Sequence, residues 1–242
     1  MLGLADPESE VQGGTMFRES SSASSHPRLP GGAMGIYNIK PWFREQLQPL
    51  IKLLWNVHPD VLTWSALGIS IASGVLLSAS ADRPYLAVAA VPLLFVRLAL
   101  NALDGMLAQQ TGKARPAGEM LNEVSDRLAD VAIFLGLALS PAADRFWGLL
   151  AIISILMVSH VGILGKAVAG ERIYTGILGK ADRMIFLMVA CLIYGLAPDW
   201  TFMGYSVFGI LLLLFVPLAS LTLLQRLDRI IHLLGEKGSR PS

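Results

Sequence analysis

Six apolar runs follow one another after residue 59, over 60–81, 85–104, 119–140, 146–168, 182–197 and 201–224. Each is close to the roughly 20 helical residues that cross about 30 Å of hydrocarbon. The expected fold is an all-α integral membrane protein with six transmembrane helices. Pro and Gly in ADRP, SPAAD and LAPDW mark short turns after the first, third and fifth runs, alternating with longer polar connections. Composition agrees: 54% of the 242 residues are apolar and 15% charged, with a mean hydropathy of +0.58, outside the balance of a soluble domain. A net charge of +1 with no basic patch gives no support to nucleic-acid binding. The single cysteine, Cys191, lies in an apolar run, which excludes a disulfide framework or a Cys-based zinc site.

The ends read differently. Residues 1–33 are rich in Ser, Gly and Pro without a helical apolar period, and are expected to be a disordered tail. From residue 34, Trp42, Phe43, Leu47, Leu50, Ile51, Leu54 and Trp55 interleave with Lys40, Arg44, Glu45 and Lys52 at helical spacing, which suits an amphipathic helix on the membrane surface. Residues 34–230 form the expected membrane domain and 231–242 a cytoplasmic tail. With the N-terminus inside, only Arg83 and Arg145 of the 19 basic residues fall outside, Arg97 and Arg127 lie within spans, and all others are cytoplasmic. That bias sets both termini on the cytoplasmic side.

Ionisable residues inside spans are costly, about 2.5–3.5 kcal/mol each on insertion scales, and are usually turned inward for a task. Here they cluster in the second and third runs. Arg97, Asn101, Asp104 and Ala108 share one helical stripe; Gly118, Asn122, Asp126 and Asp130 recur every four residues along another. Both stripes begin or end at the cytoplasmic side, joined by QQTGKARPA. Facing carboxylates and amide carbonyls suit a hard divalent cation completed by a substrate phosphate. The competing reading is a buried salt-bridge cluster, with Arg97 neutralising Asp104 and Arg127 neutralising Glu123 or Asp130.

The spacing of Asn101, Asp104-Gly105, Ala108-Gln109, Gly118, Asn122 and Asp126 resembles the signature of the CDP-alcohol phosphatidyltransferase family, D-x2-D-G-x2-A-R-x8-G-x3-D-x3-D. Pro59-Asp60-Val61-Leu62-Thr63 is similar to the family's Pro-Asn-x-(Leu/Val)-Thr opening of the first span. The resemblance covers about residues 34–230. Asn101 and Asn122 replace two aspartates and Gln109 an arginine, as in a divergent bacterial branch. It implies transfer of a phosphatidyl group from CDP-diacylglycerol to an alcohol with release of CMP, in phospholipid biosynthesis. It also implies a Mg²⁺ or Mn²⁺ cofactor, a homodimer and a bacterial inner-membrane location.

By position the resemblance makes Asp104, Asn101, Asn122 and Asp126 metal ligands, with Asp130 a further candidate, and Asp126 also the general base. Gly105, Ala108 and Gly118 would border the nucleotide, and Arg172, Lys180 and Arg183 would face the alcohol acceptor. The acceptor itself is not specified by the sequence. Two rival readings remain: a multi-pass transporter or channel with an intramembrane carboxylate cluster, and a catalytically weak relative that binds CDP-lipid.

Overall fold

The computed structural model describes residues 39–238, so the tail expected over 1–33 lies outside the described residues. Within them the chain forms seven helices and one short hairpin. The helices are α1 (Ile39–Leu53), α2 (Pro59–Ser78), α3 (Tyr85–Gln110), α4 (Pro116–Leu139), α5 (Arg145–Ala169), α6 (Lys180–Leu196) and α7 (Val207–Gly238); the strands β1 (Thr201–Phe202) and β2 (Tyr205–Ser206) precede α7. Four helices, α2, α3, α5 and α7, are long and apolar enough to cross a membrane. The remaining two expected spans differ for local reasons. α4 carries Glu119, Glu123, Asp126, Arg127 and Asp130 on one helix, and α6 has 17 residues opening on Lys180, Asp182 and Arg183.

The run expected over 201–224 is divided. Its first six residues form the antiparallel hairpin, pairing Thr201 with Ser206 and Phe202 with Tyr205. Met203 (φ 51°) and Gly204 (φ 81°) provide the two left-handed residues that such a two-residue turn requires. α7 then continues past residue 224 to Gly238.

α2 is the wedge of the bundle, packing along both α3 and α4. Its buried face is built from small residues, Ser70, Ser73 and Gly74. The Ser70 and Ser73 hydroxyls donate to the Ala66 and Ile69 carbonyls at 2.6 and 2.8 Å, which satisfies them within their own helix. A Cβ at Gly74 would fall on the Ala132 carbonyl, and one at Gly136 would overlap the Gly74 backbone. The two helices therefore touch through main chain, as small-residue crossings in membranes allow.

α3 packs on α6 and α5 on α7, around a core that includes Leu94, Phe134, Ile155, Leu187, Phe208 and Phe215. α1 lies against α3: it buries Leu47 and Ile51 with Leu103, Met106 and Leu107, and Phe43 meets the edge of Phe95 at 6.0 Å. Trp42, Leu50 and Leu53 on α1 stay exposed, as do Trp64, Ile71 and Val75 on α2.

Candidate functional site

Because consecutive helices reverse direction, the start of α2, the end of α3, the start of α4 and the start of α6 meet at one end of the bundle. Each contributes a polar side chain there. Asp104, buried near the end of α3, accepts from the Thr63 hydroxyl at 3.0 Å through one oxygen and from the Gly105 amide at 2.6 Å through the other. Asp126, buried on α4, accepts from the Lys180 ammonium of α6. Asp126 and Lys180 both lie within electrostatic reach of Asp104. Both motif carboxylates therefore lie toward this end of the bundle, where α2 rather than direct α3–α4 packing holds their helices in place.

The amides behave differently from each other. Asn101 turns back along its own helix, its Nδ2 donating to the Arg97 carbonyl at 3.0 Å. The Oδ1 of Asn122 is buried without a hydrogen-bond partner. Such an orphaned acceptor carries a desolvation cost of about 1–3 kcal/mol unless a donor or cation reaches it. Gly105 is exposed, with nothing within 4 Å of where a Cβ would stand; Gly118 backs onto Arg115 and Asp60. Ala108 is half-buried one turn beyond Asp104.

Asp130 lies one turn deeper than Asp126 and has a different environment. One of its oxygens accepts from Arg97 Nη2 at 2.8 Å, the other from Arg183 Nη2 at 2.7 Å, and all three side chains are at most 2% exposed. Both carboxylate oxygens are therefore engaged by guanidinium groups. Arg97 pairs with Asp130, not with Asp104, and Arg127 pairs with Glu123 at 2.6 Å. Arg183, grouped by sequence with the acceptor residues, is directed instead into the core, where Nη1 also reaches the Leu178 carbonyl at 3.4 Å.

The connection between α5 and α6, residues 170–179, passes over this end. Arg172 pairs with Glu123 and stands over the Tyr174 ring at 5.0 Å; Lys166, in the last turn of α5, pairs with Glu119. Arg226 of α7 anchors the connection: its Nε donates to the Thr175 carbonyl at 3.0 Å and its Nη1 to Val158 at 2.7 Å. Thr222 accepts from the Leu178 amide at 3.0 Å, and its side chain lies against Gly176, which adopts φ 123°. Sequence reasoning gave Arg226 only an orientation role and Thr63 only a place in a helix opening. Arg226's structural role has no local signal, whereas Thr63 follows from the PDVLT word once Asp104 faces it.

Among the described residues no three His, Cys, Asp or Glu side chains gather as a metal cluster. The oxygen groups of the motif here are the Asp104 and Asp126 carboxylates and the unpartnered Asn122 oxygen, ligand types that a hard divalent cation takes together with phosphate and water.

Residues 56–221 match the CDP-alcohol phosphatidyltransferase family. The chain belongs to that family. It is 35% identical over 185 residues to an inner membrane protein of Escherichia coli K12, YnbA, across 74% of this chain and 92% of that one. It is 29% identical over 192 residues to the phosphatidylinositol phosphate synthase of Cutibacterium acnes, across 75% and 90%. A crystal structure of Mycobacterium tuberculosis phosphatidylinositol phosphate synthase with CDP-DAG bound shares the fold, with a TM-score of 0.61 at 22% identity over 75% of this chain and 92% of that one. The same enzyme in complex with manganese and citrate gives 0.61 at 22% identity over 75% and 87%. The chain is an integral membrane enzyme that transfers a phosphatidyl group from a CDP-linked lipid to an alcohol acceptor with release of CMP.

Proposed function

We propose that Asp126 is the general base of this transfer, and that Asp104, Asp126 and Asn122 are the groups that hold a divalent cation at the cytoplasmic face. The reading is supported by Asp104, Asp126 and the unpartnered Asn122 oxygen belonging to the end of α3 and the first half of α4, at the spacing of the family motif. Mg²⁺ or Mn²⁺ bound there would neutralise the pyrophosphate of CDP-diacylglycerol and the CMP that leaves. The acceptor hydroxyl oxygen forms a bond to the phosphatidyl phosphorus while the bond to CMP breaks, and Asp126 takes the hydroxyl proton. Thr63 and the Gly105 amide fix the Asp104 carboxylate. The open space at Gly105 leaves room for the nucleotide, with Ala108 and Gly118 as its neighbours.

Asn101, with its amide turned back on Arg97, contributes through helix geometry unless its side chain rotates. Arg172, paired with Glu123, and Lys180, paired with Asp126, would face the alcohol acceptor. Arg183 acts through Asp130, which orders α3, α4 and α6 rather than serving as a ligand.

The same reading places six helices across a bacterial inner membrane, α4 and α6 with their charges turned inward, and α1 on the cytoplasmic surface with Trp42, Leu50 and Leu53 toward lipid. Both termini are cytoplasmic, 1–33 and 231–242 flank the 34–230 membrane domain, and the enzyme is a homodimer. The basic-residue distribution supports this orientation, and thiol labelling of single cysteines at positions 83 and 113 from either side of spheroplasts tests it.

The decisive experiment incubates purified protein with labelled CDP-diacylglycerol, Mg²⁺ or Mn²⁺ and a panel of alcohols. CMP and a new lipid are expected with one acceptor class, lost in chelator and regained with the ion. Binding of CDP-diacylglycerol with no product from any alcohol would favour the weak relative, and flux into liposomes without CMP a transporter.

A further inference from the structure

We propose that Glu123 is a positioning residue for the alcohol acceptor: its carboxylate holds the Arg172 guanidinium beside Asp126, where the acceptor hydroxyl has to arrive. This rests on the reading of Asp126 and Arg172 given above. The family motif specifies Gly118, position 122 and position 126 and leaves 123 open, so spacing gives Glu123 no task. Its contacts do.

Four acidic residues of α4 take four basic residues of the following segments in chain order. Glu119 takes Lys166 of α5, Glu123 takes Arg172 of the connection, and Asp126 and Asp130 take Lys180 and Arg183 of α6. The Lys166 and Lys180 pairs each match one charge with one. Asp130 has two guanidinium partners, but both are sealed in the core at no more than 2% exposure. Glu123 also has two, Arg127 at 2.6 Å through one oxygen and Arg172 through the other, and these side chains are 21% and 27% exposed. One positive charge is therefore left over within reach of an incoming molecule, and Arg172 is the more exposed of its two carriers.

The backbone that carries Arg172 is fixed. Ile173, the next residue, is buried against Val161 and Ile230, and its amide donates to the Gly162 carbonyl at 3.1 Å. Thr175 is tied to Arg226 through its carbonyl. The freedom that remains is in the Arg172 side chain, and it is taken up by the Tyr174 ring and by Glu123. Glu123 precedes Asp126 by three residues, about 4.5 Å along the helix axis, so the two carboxylates are neighbours on α4. An arginine ordered before its ligand arrives loses less rotamer freedom on binding, which strengthens the contact. With both of its oxygens engaged, Glu123 acts through Arg172 and not on the substrate itself.

The KM for the alcohol separates this role from a plain salt bridge. It is measured by CMP release with the alcohol of the panel that wild-type protein turns over fastest. Glu123→Gln frees Arg172 without removing it, and should raise that KM about three- to tenfold, with kcat and the KM for CDP-diacylglycerol little changed. Glu123→Asp, which keeps the charge, should raise it less. On an Arg172→Gln background Glu123→Gln should add nothing, because the residue it positions is gone. Thermal unfolding in detergent checks that each variant is folded; if Glu123→Gln is not, Glu123→Asp with and without Arg172→Gln carries the same comparison. An unchanged alcohol KM in folded Glu123→Gln would overturn the proposal, as would KM values that rise alike for both substrates, or a full further rise on the Arg172→Gln background. Those results sink this inference alone, since wild-type CMP release stands; wild-type protein that releases no CMP with any alcohol sinks the underlying site reading.

Discussion

Asp126 and Asp130 are four residues apart on one face of α4, and their surroundings divide the work of the site. Asp130 is sealed among Arg97 and Arg183, with both oxygens engaged and no route to solvent. Asp126 pairs with Lys180, whose side chain is 29% exposed. A buried ion triad contributes little net stability over an apolar replacement, yet losing one member strands the others as uncompensated charge. A carboxylate paired with one partly exposed lysine costs less to alter structurally and, on the reading proposed above, a great deal chemically. On the proposed reading, the helix carries its architecture and its chemistry one turn apart.

The sharpest way to break this comparison is Asp130→Ala. It leaves two buried guanidinium groups without their partner, which costs about 3–5 kcal/mol, so folded protein should be largely lost; thermal unfolding in detergent and the yield of monodisperse protein measure it. Asp126→Asn should instead lose about 10² to 10⁴ in turnover, read as CMP release, with its melting temperature close to wild type. Equal melting losses for the two variants would erase the distinction.

Smaller changes sharpen it. Arg226→Met loosens the 170–179 connection on α7 by removing the charge-assisted hydrogen bond to Thr175, together with the one to Val158 of α5, each about 1.5–3 kcal/mol. Its expected signature is earlier proteolysis in that connection and a raised KM for the acceptor, with a smaller change in kcat. Lys166→Ala removes a half-exposed ion pair with Glu119, a contact of about 0–1 kcal/mol that salt screens. Its activity and melting temperature should stay near wild type.

The sequence was most legible where periodicity carried the signal. The first five apolar runs coincide with α2 to α6 to within a few residues, except that α3 extends past residue 104 to Gln110. The sixth is less simple, since nothing in apolar content separates Thr201 to Ser206 from the helix that follows; the Met203-Gly204 turn does. In the candidate site, helical spacing set Asp104 on one stripe and Asp126 on another without reference to any partner. Pairing was harder to foresee. Arg97 reaches Asp130 on α4 because α2 wedges beside it, and Arg226 reaches the 170–179 connection from 51 residues away. Side-chain partners across helices depend on crossing geometry, and spacing along one chain does not encode it.

That crossing rests on two missing methyl groups, Gly74 and Gly136, where main chain meets main chain. α2 is unbroken from there to Thr63, eleven residues and about 16 Å away at 1.5 Å per residue. It acts as a lever with its fulcrum at the α2–α4 crossing and its tip on the Asp104 carboxylate. A single added carbon at the fulcrum would swing the tip, so the setting of the Asp104 carboxylate is gauged from the far end of α2, by residues that never touch it.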